Sequence, residues 1–215
     1  MIDLHTHSIF SDGELIPSEL ARRANFAGVT TLAITDHVDY SNYDTVLRGL
    51  VRFCAEYAGS PIIVLPGVEI THAPPRQVGK LVKLCRDAGA KIVIVHGETV
   101  VEPVETGTNR AAIEAGVDIL AHPGFITDDD ASLAAEKGVA LEISGRGGHS
   151  FTNGHVASVA RRRGAALVFN TDSHAPRDLM ENAMARIVAR GAGLSDDEVE
   201  AMFENSRLIA ERAIR

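Results

Sequence analysis

Histidine and carboxylate side chains recur in this sequence where short apolar segments end. They comprise His5, His7, Asp36, His37, Glu69, His96, His122, Asp172 and His174. Imidazole nitrogens and carboxylate oxygens are ligands that divalent metal cations take in proteins. In His5-Thr6-His7 both imidazoles lie on one face of a strand, because side chains alternate along a strand with a period of two. Asp172 and His174 repeat this spacing, so the pattern indicates a metal centre.

The number of candidate ligands predicts more than one cation. Six of the nine histidines, with two or three carboxylates, stand at segment ends, and one tetrahedral ion takes only four ligands. Burying so many polar groups without a ligand would cost several kcal/mol. We therefore expect two or three divalent cations, and the mixture of imidazole and carboxylate suits Zn, Mn or Fe.

Seven short apolar segments carry these residues, and most are apolar on both faces, as buried parallel strands are. They are Met1–Leu4, Thr31–Thr35, Ile62–Val68, Lys91–Val95, Asp118–Ala121, Val139–Ile143 and Ala166–Asn170. Amphipathic segments with helix signals alternate with them. These are Pro17–Phe26, Thr45–Tyr57, Val78–Ala88, Asn109–Ala115, Asp129–Lys137 and Val156–Arg163, followed by Leu179–Arg190 and Asp196–Ile214.

The placement of the reactive residues separates two α/β architectures. In an open sheet they would follow one or two strands at a switch point, whereas here they follow every strand. The strand ends must therefore converge on one point, which is the geometry of a closed barrel. We predict an α/β fold of the TIM-like type, with the active site at the C-terminal ends of the strands.

Composition excludes several classes of protein. The chain has 215 residues, so we expect a single domain spanning residues 1–215. Its formal net charge of −8 argues against a binder of duplex nucleic acid, and no apolar run is long enough to span a membrane. Two cysteines, Cys54 and Cys85, are expected to be reduced packing residues. Without a leader signal the expected location is cytoplasmic, and the oligomeric state stays open.

The motifs together resemble the PHP family, named for polymerase and histidinol phosphatase. The matching motifs are Asp3-Leu4-His5-Thr6-His7, Ser11-Asp12-Gly13, Ile34-Thr35-Asp36-His37, Pro66-Gly67-Val68-Glu69, Val95-His96, Ala121-His122-Pro123-Gly124 and Asn170-Thr171-Asp172-Ser173-His174. They follow the family's order from residue 3 to residue 174. The resemblance implies a distorted (β/α)7 barrel, a trinuclear metal site and hydrolysis of a phosphoester.

The resemblance also implies a ligand for each position of the metal site. His5, His7 and Asp172 would hold the first cation, and Glu69 would bridge it to the second. The second cation would be completed by His96 and His122. The third would be held by His37 and His174, with Asp12 as a further ligand where some members of the family carry a histidine.

Residues outside the ligand set are candidates for substrate binding and for support. Arg146 lies in a glycine-rich loop after the sixth segment, and a guanidinium can hold two phosphate oxygens at once. Further candidates for substrate contact are Arg177, His72 and His149. Asp36 could orient His37 or another ligand, Asp3 could orient a ligand or cap its strand, and Glu142 could face the site or support a ligand. We expect catalysis to involve Glu69, Asp172, His174 and Arg146.

These residues favour a metal-dependent phosphoesterase. Its expected substrate is a small phosphomonoester, such as histidinol phosphate or a nucleotide-like molecule, attacked by a hydroxide that bridges two cations. One alternative is a 3'-5' exonuclease or nucleotide phosphodiesterase. Another is a metal-dependent amidohydrolase, although many of these bridge two metals through a modified lysine, and no lysine follows a predicted strand here. The last alternative is a metal-binding scaffold without activity.

Overall fold

The computed structural model describes all 215 residues, and the predicted apolar segments form one parallel sheet. Its strands are β1 (Ile2–Asp3), β2 (Thr31–Ile34), β3 (His37–Val38), β4 (Ile63–Ile70), β5 (Ile92–His96), β6 (Ile119–Ala121), β7 (Ala140–Ser144) and β8 (Leu167–Asn170). The strand order is β1-β2-β4-β5-β6-β7-β8, and β3 pairs with β4. Neighbours in the sheet thus follow chain order, as in a barrel.

The sheet nearly closes where the chain segments after β1 and β8 meet. The backbone N–H of His7 donates to the carbonyl of Ser173 at 2.9 Å, and that of Asp172 donates to the carbonyl of His5 at 3.0 Å. Thr6 and Ser173 form a parallel bridge between these donors. The expected distorted (β/α)7 barrel is therefore confirmed, with first and last strands adjoining.

The predicted segment Thr31–Thr35 forms β2, and it is followed by β3, a two-residue strand that the sequence did not indicate. β2 pairs with the first half of β4, and β3 pairs with its second half, where His37 lies opposite Glu69. Between β2 and β3, the N–H of Thr35 donates to the carbonyl of Thr6 at 2.8 Å. The carboxylate of Asp36 accepts the N–H of Ser8 at 2.8 Å. The chain thus turns from the ladder towards the loop after β1 before it rejoins β4.

All eight predicted helices are present, with ends shifted by at most three residues. They are α1 (Pro17–Phe26), α2 (Tyr43–Glu56), α3 (Pro75–Asp87), α4 (Thr108–Glu114), α5 (Asp128–Lys137), α6 (Asn153–Arg163), α7 (Asn182–Gly191) and α8 (Asp196–Ile214). α3 begins at Pro75, whose fixed φ suits the first helical position. α7 begins later than predicted because Pro176–Asp178 forms a separate 3-10 turn and Leu179 is extended.

The barrel packs its apolar residues in two clusters on opposite sides of the sheet. Along β5, Ile92 and Ile94 belong to the smaller cluster in the barrel interior, whereas Val93 and Val95 face the helices. Ile209 of α8 packs into the same interior cluster, so α8 closes one end of the barrel. Apolar packing therefore fills that end, and the opposite end is left to polar side chains.

Two expectations concern features outside the barrel. Cys54 and Cys85 are free thiols, half-buried and buried respectively, as the sequence indicated. Among the helices, none combines the length and the apolar character needed to cross a bilayer.

The last helix is held to α6 by Glu198. Its carboxylate accepts a hydrogen bond from Arg161 at 2.8 Å and from the N–H of Ser195 at 2.8 Å, while Ser195 caps α8. The hydrogen bond from Arg161 lowers the pKa of Glu198 to about 2. The charge of Glu198 therefore stabilises the fold above the carboxyl's unfolded pKa of about 4.3, and this contribution is lost as pH falls towards 2.

We predict that Glu198→Gln, which keeps a capping side chain but removes the charge, lowers Tm by roughly 1–3 °C at pH 7. Calorimetry at pH 7 and pH 3 should show a smaller difference at pH 3. The matched control is Glu136→Gln, at an exposed position on α5. An equal loss at both pH values would contradict the assigned role of the charge.

Candidate metal centre

The closure of the barrel brings together His5, His7 and Asp172. The Nε2 atoms of the two histidines lie 3.6 and 3.2 Å from Oδ1 of Asp172. All three side chains are buried, and one ligand atom from each lies within 4.8 Å of the others. The backbone hydrogen bonds that join β1 to β8 involve these same residues, so strand pairing fixes the geometry of the group. The structure thus brings together the three residues that the family resemblance grouped.

Glu69, at the C-terminal end of β4, lies at the centre of the ligand cluster. Its carboxylate oxygens are 3.2 Å from Nε2 of His5, 3.5 Å from Nε2 of His7, 2.9 Å from Nδ1 of His37 and 3.4 Å from Nε2 of His122. The side chain is fully buried. A carboxylate with imidazoles on several sides is placed to bridge cations, which is the role expected of it.

A second group lies nearer the solvent. Oδ1 of Asp12 is 3.2 Å from Nε2 of His174 and 3.6 Å from Nε2 of His37. The ring of His7 stacks on that of His174 with centroids 4.0 Å apart, and His7 joins these three residues as a fourth possible ligand. The residues expected at the third cation are therefore adjacent, and His7 connects them to the first group.

The third group differs from the expected one. His122 pairs with His5 and Glu69 in one group, and with His96 and His149 in another. His149 begins a 3-10 turn after β7 and is buried, so it lies among possible ligands as well as in the cleft where substrate contact was expected. Glu102, which the sequence did not single out, is 3.1 Å from Nε2 of His96. Its position in a loop after a strand is the only signal that could have found it.

Buried atoms without partners show that the residues present fit a metal. Nε2 of His5, both nitrogens of His7, both oxygens of Glu69 and Oδ1 of Asp172 are buried and lack a hydrogen-bond partner. An unpaired buried polar group is costly, and several such groups pointing at one another are rare in folded proteins. Divalent cations among these nitrogens and oxygens would satisfy them.

Supporting residues hold the ligands from behind. Nδ1 of His5 lies 2.8 Å from Oε2 of Glu142, which leaves Nε2 facing the group. Asp3 accepts from the hydroxyl of Thr171 at 2.6 Å and so anchors the backbone beside Asp172. Glu142 thus supports a ligand, which was one of the roles open to it.

Asp36 takes a role other than the expected orientation of His37. Its carboxylate accepts from the hydroxyl and N–H of Ser8 and from the hydroxyl and N–H of Ser11. These bonds hold the loop that carries Asp12. Asp36 therefore positions Asp12 through the backbone of a neighbouring loop. The residue that contacts Nδ1 of His37 is instead Thr71, whose hydroxyl lies 2.7 Å away.

Burial and charge set the protonation of the two imidazoles after β1 in opposite directions. Burial alone would lower the pKa of His5, but the carboxylates of Glu69 and Glu142 outweigh it and hold that pKa well above the usual value. The pKa of His7 lies well below the usual value because the ring is buried and the imidazole of His37 is close. A neutral imidazole keeps the lone pair that a cation needs, so His7 is set up as a ligand.

Three non-glycine residues of the site have a left-handed backbone. His72, His122 and Asp172 have φ values of 52°, 26° and 52°. Such conformations are uncommon for residues with a Cβ and cluster at functional sites. All three residues follow strands, and the left-handed backbone turns the chain at each of these positions.

The substrate candidates lie at different depths around a cleft of about 390 Å³ whose lining is entirely polar. Arg146 lines this cleft and donates to the carbonyl of Asp172 at 3.2 Å. A guanidinium nitrogen of Arg146 is also 2.7 Å from Nδ1 of His174. Arg177 is 78% exposed and paired with Glu14 outside the cleft. His72 is exposed at the edge of the cleft, near Glu102.

Comparison with known proteins identifies the family. A family model described as the PHP domain matches residues 3–100. A protein of Methanocaldococcus jannaschii, named as uncharacterised, is 50% identical over 201 residues, which cover 92% of both chains. The DNA polymerase/3'-5' exonuclease PolX of Bacillus subtilis is 28% identical over 200 residues, which cover 80% of this chain and 34% of that protein.

Solved structures share the fold at low sequence identity. Histidinol phosphate phosphatase from Lactococcus lactis, solved with zinc, L-histidinol and phosphate, has a TM-score of 0.61 and 19% identity, covering 90% of this chain and 94% of that one. A chain of archaeal ribonuclease P with mature tRNA has a TM-score of 0.73 and 18% identity, covering 98% and 90%. An amidohydrolase has a TM-score of 0.60 and 16% identity, covering 99% and 74%.

The family model covers the motifs from Asp3 to His96, and the candidate ligand groups also include His122, Asp172 and His174, which lie beyond the matched residues. The chain belongs to the PHP domain family of metal-dependent hydrolases.

Proposed function

We propose that this protein hydrolyses small phosphomonoesters with two or three divalent cations. The observation that carries the proposal is a set of overlapping groups of buried, unpaired imidazole and carboxylate atoms that opens into a polar cleft beside Arg146. The first cation would be held by His5, His7 and Asp172, and a further one by Asp12, His37 and His174, with Glu69 between them. When bound, divalent cations supply Lewis acidity that activates water and polarises phosphoryl oxygens.

Arg146 is the residue proposed to bind the phosphoryl group. Its guanidinium carries several N–H donors in a planar fork, which matches two phosphate oxygens. Nδ1 of His174 lies 3.0 Å from the carbonyl of Asp172 and can donate to it, which leaves Nε2 free to coordinate. With that proton in place, the guanidinium has no acceptor at His174 and can turn to the substrate. The tautomer of His174 and the availability of Arg146 are thereby linked.

The cleft supports a small, hydrophilic substrate. No apolar side chain lines it, so nothing in it would bind a large apolar leaving group. The fold similarity to a histidinol phosphate phosphatase supports a phosphomonoester of that size, and a mononucleotide would also present a phosphate on a polar body. The four lysines lie outside the cleft, so no residue there can form the modified lysine of many amidohydrolases.

A second candidate is hydrolysis at the ends of nucleic acids. The match to PolX, which is named a 3'-5' exonuclease and aligns over 200 residues, favours it. The net charge of −8 argues against a long nucleic-acid substrate, because phosphate backbones bind basic surfaces. Comparing p-nitrophenyl phosphate, bis-p-nitrophenyl phosphate, a mononucleotide and a short oligonucleotide as substrates separates the candidates.

One prediction of the proposed function concerns metal content and turnover. Purified protein should contain two or three divalent cations per chain by mass spectrometry, and chelation should abolish hydrolysis of p-nitrophenyl phosphate until Mn²⁺ is restored. Glu69→Gln should lower turnover by roughly 100-fold or more and reduce the metal content, because it removes a charged ligand shared by several imidazoles.

Glu114→Gln, at an exposed position on α4, is the control and should behave as the unsubstituted protein. Full activity after complete removal of metal would contradict the proposal. A content of at most one cation per chain after reconstitution would also contradict the proposal.

The second prediction separates the two arginines. Arg146→Ala should lower kcat/KM for phosphomonoesters by roughly 100-fold, and Arg146→Lys should recover only part of this loss, because an ammonium cannot hold two oxygens in a plane. Arg177→Ala should stay within about 3-fold, since Arg177 is exposed and paired with Glu14 outside the cleft. Steady-state kinetics with metal-loaded protein is the measurement, and a larger effect at Arg177 would reverse the assignment.

A further inference from the structure

The imidazole of His96 is separated from Glu69, the carboxylate expected beside it. Glu69 contacts four imidazoles within 4.0 Å, and His96 is not among them. The carboxylate beside His96 is instead Glu102, whose Oε2 is 3.1 Å from Nε2 of His96. Glu102 is therefore the carboxylate that contacts His96 directly.

The imidazole of His149 also has one nitrogen close to the carboxylate of Glu102. The side chain is 5% exposed, and its Nδ1 lies 2.9 Å from the hydroxyl of Thr99. This contact directs Nε2 towards the cleft, where it is 3.5 Å from Oε1 of Glu102. A histidine held at one nitrogen by a polar partner, with the other nitrogen facing a cavity, has the arrangement of a metal ligand.

The other two imidazoles are oriented in a compatible way. Nδ1 of His96 lies 3.1 Å from the carbonyl of Gly97, which requires the proton on Nδ1 and leaves the Nε2 lone pair for a cation. The rings of His122 and His149 stack with centroids 4.0 Å apart. One nitrogen of each of His96, His122 and His149 lies within 4.8 Å of the others, so one cation can reach all three.

The loop that carries Glu102 is anchored at its base. The side chain of Glu98 accepts the N–H groups of Gly107 and Asn109 at 3.0 Å each, and Asn109 accepts the N–H of Glu98 at 2.9 Å. The tip of the loop is exposed, including Val100 and Val101. The anchored base holds the carboxylate of Glu102 beside the imidazoles. Because Glu102 is exposed, it can be substituted without disturbing the core.

We propose that Glu102 and His149 complete, with His96 and His122, the coordination of one cation of the metal centre. Three imidazole nitrogens and one carboxylate oxygen are a ligand set suited to tetrahedral Zn²⁺, at distances of about 2.0–2.2 Å. The inference rests on the metal centre of the proposed function and adds two ligands from the loops after β5 and β7. That cation is then held by two imidazoles at strand ends, His96 and His122, and by two side chains from the loops.

The test measures zinc binding by the full chain. Protein stripped of metal is titrated with Zn²⁺ in competition with a chromophoric chelator, which gives the number of sites and the dissociation constant of each. Glu102→Gln and His149→Gln should each weaken one site by roughly 10–100-fold and leave the others unchanged. Glu105→Gln, an exposed substitution in the same loop, is the matched control and should bind as the unsubstituted protein does.

The possible outcomes are distinct. Unchanged affinity at every site in both variants would overturn this inference and leave the proposed function standing. Absence of any tight site in the unsubstituted protein would overturn both. If circular dichroism shows that His149→Gln is unfolded, Glu102→Gln decides the question alone, because its side chain is partly exposed on the loop.

Discussion

The pairing of the chain segments after β1 and β8 is the constraint on which the site depends. The hydrogen bonds between His7 and Ser173 and between Asp172 and His5 join the two ends of the sheet in one register. A shift of one residue would turn alternate side chains to the other face, and the two imidazoles would no longer face Asp172. The hydrogen bonds that close the barrel therefore also set the geometry of the candidate ligands, and the segments after the first and the last strand both contribute to them.

The same region concentrates the energetic cost of the fold. Fully buried nitrogens and oxygens of His5, His7, Glu69 and Asp172 lack hydrogen-bond partners, while the rest of the barrel interior is filled by apolar side chains. Cations bound among these atoms would offset the cost of burying them, so metal binding and stability are coupled at this end of the barrel. The opposite end, closed by α8, relies mainly on apolar packing, with one hydrogen bond from the amide of Asn205 to the carbonyl of Leu167.

The ligand cluster is supported mainly by groups that act through the backbone. Asp36 holds the loop that carries Asp12, and Asp3 anchors Thr171 beside Asp172. Glu142 acts directly, through Nδ1 of His5. Such supports fix which nitrogen of an imidazole faces the cation, which matters as much as the ligand itself. Loops then decide what lies above the cluster, with Arg146 on one side and Glu102 on the other.

The sequence by itself determined seven of the eight strands, the eight helices and the types of candidate ligand at the strand ends. These features follow from local rules, since a strand repeats every two residues, a helix stops at its cap, and parallel strand ends converge. Convergence of the strand ends also predicted a closed barrel, whereas its distorted (β/α)7 form and the family came from the resemblance of the motifs. The sheet topology confirms the barrel, and the family model supports the family.

Only the tertiary structure decided how the ligands are grouped. His149 joins His96 and His122, Glu102 lies over them, and Asp36 turns from His37 to the serines of another loop. These outcomes depend on loop conformation and on contacts between residues far apart in the chain. Spacing along one segment carries no information about such contacts, so the sequence alone could not have predicted them.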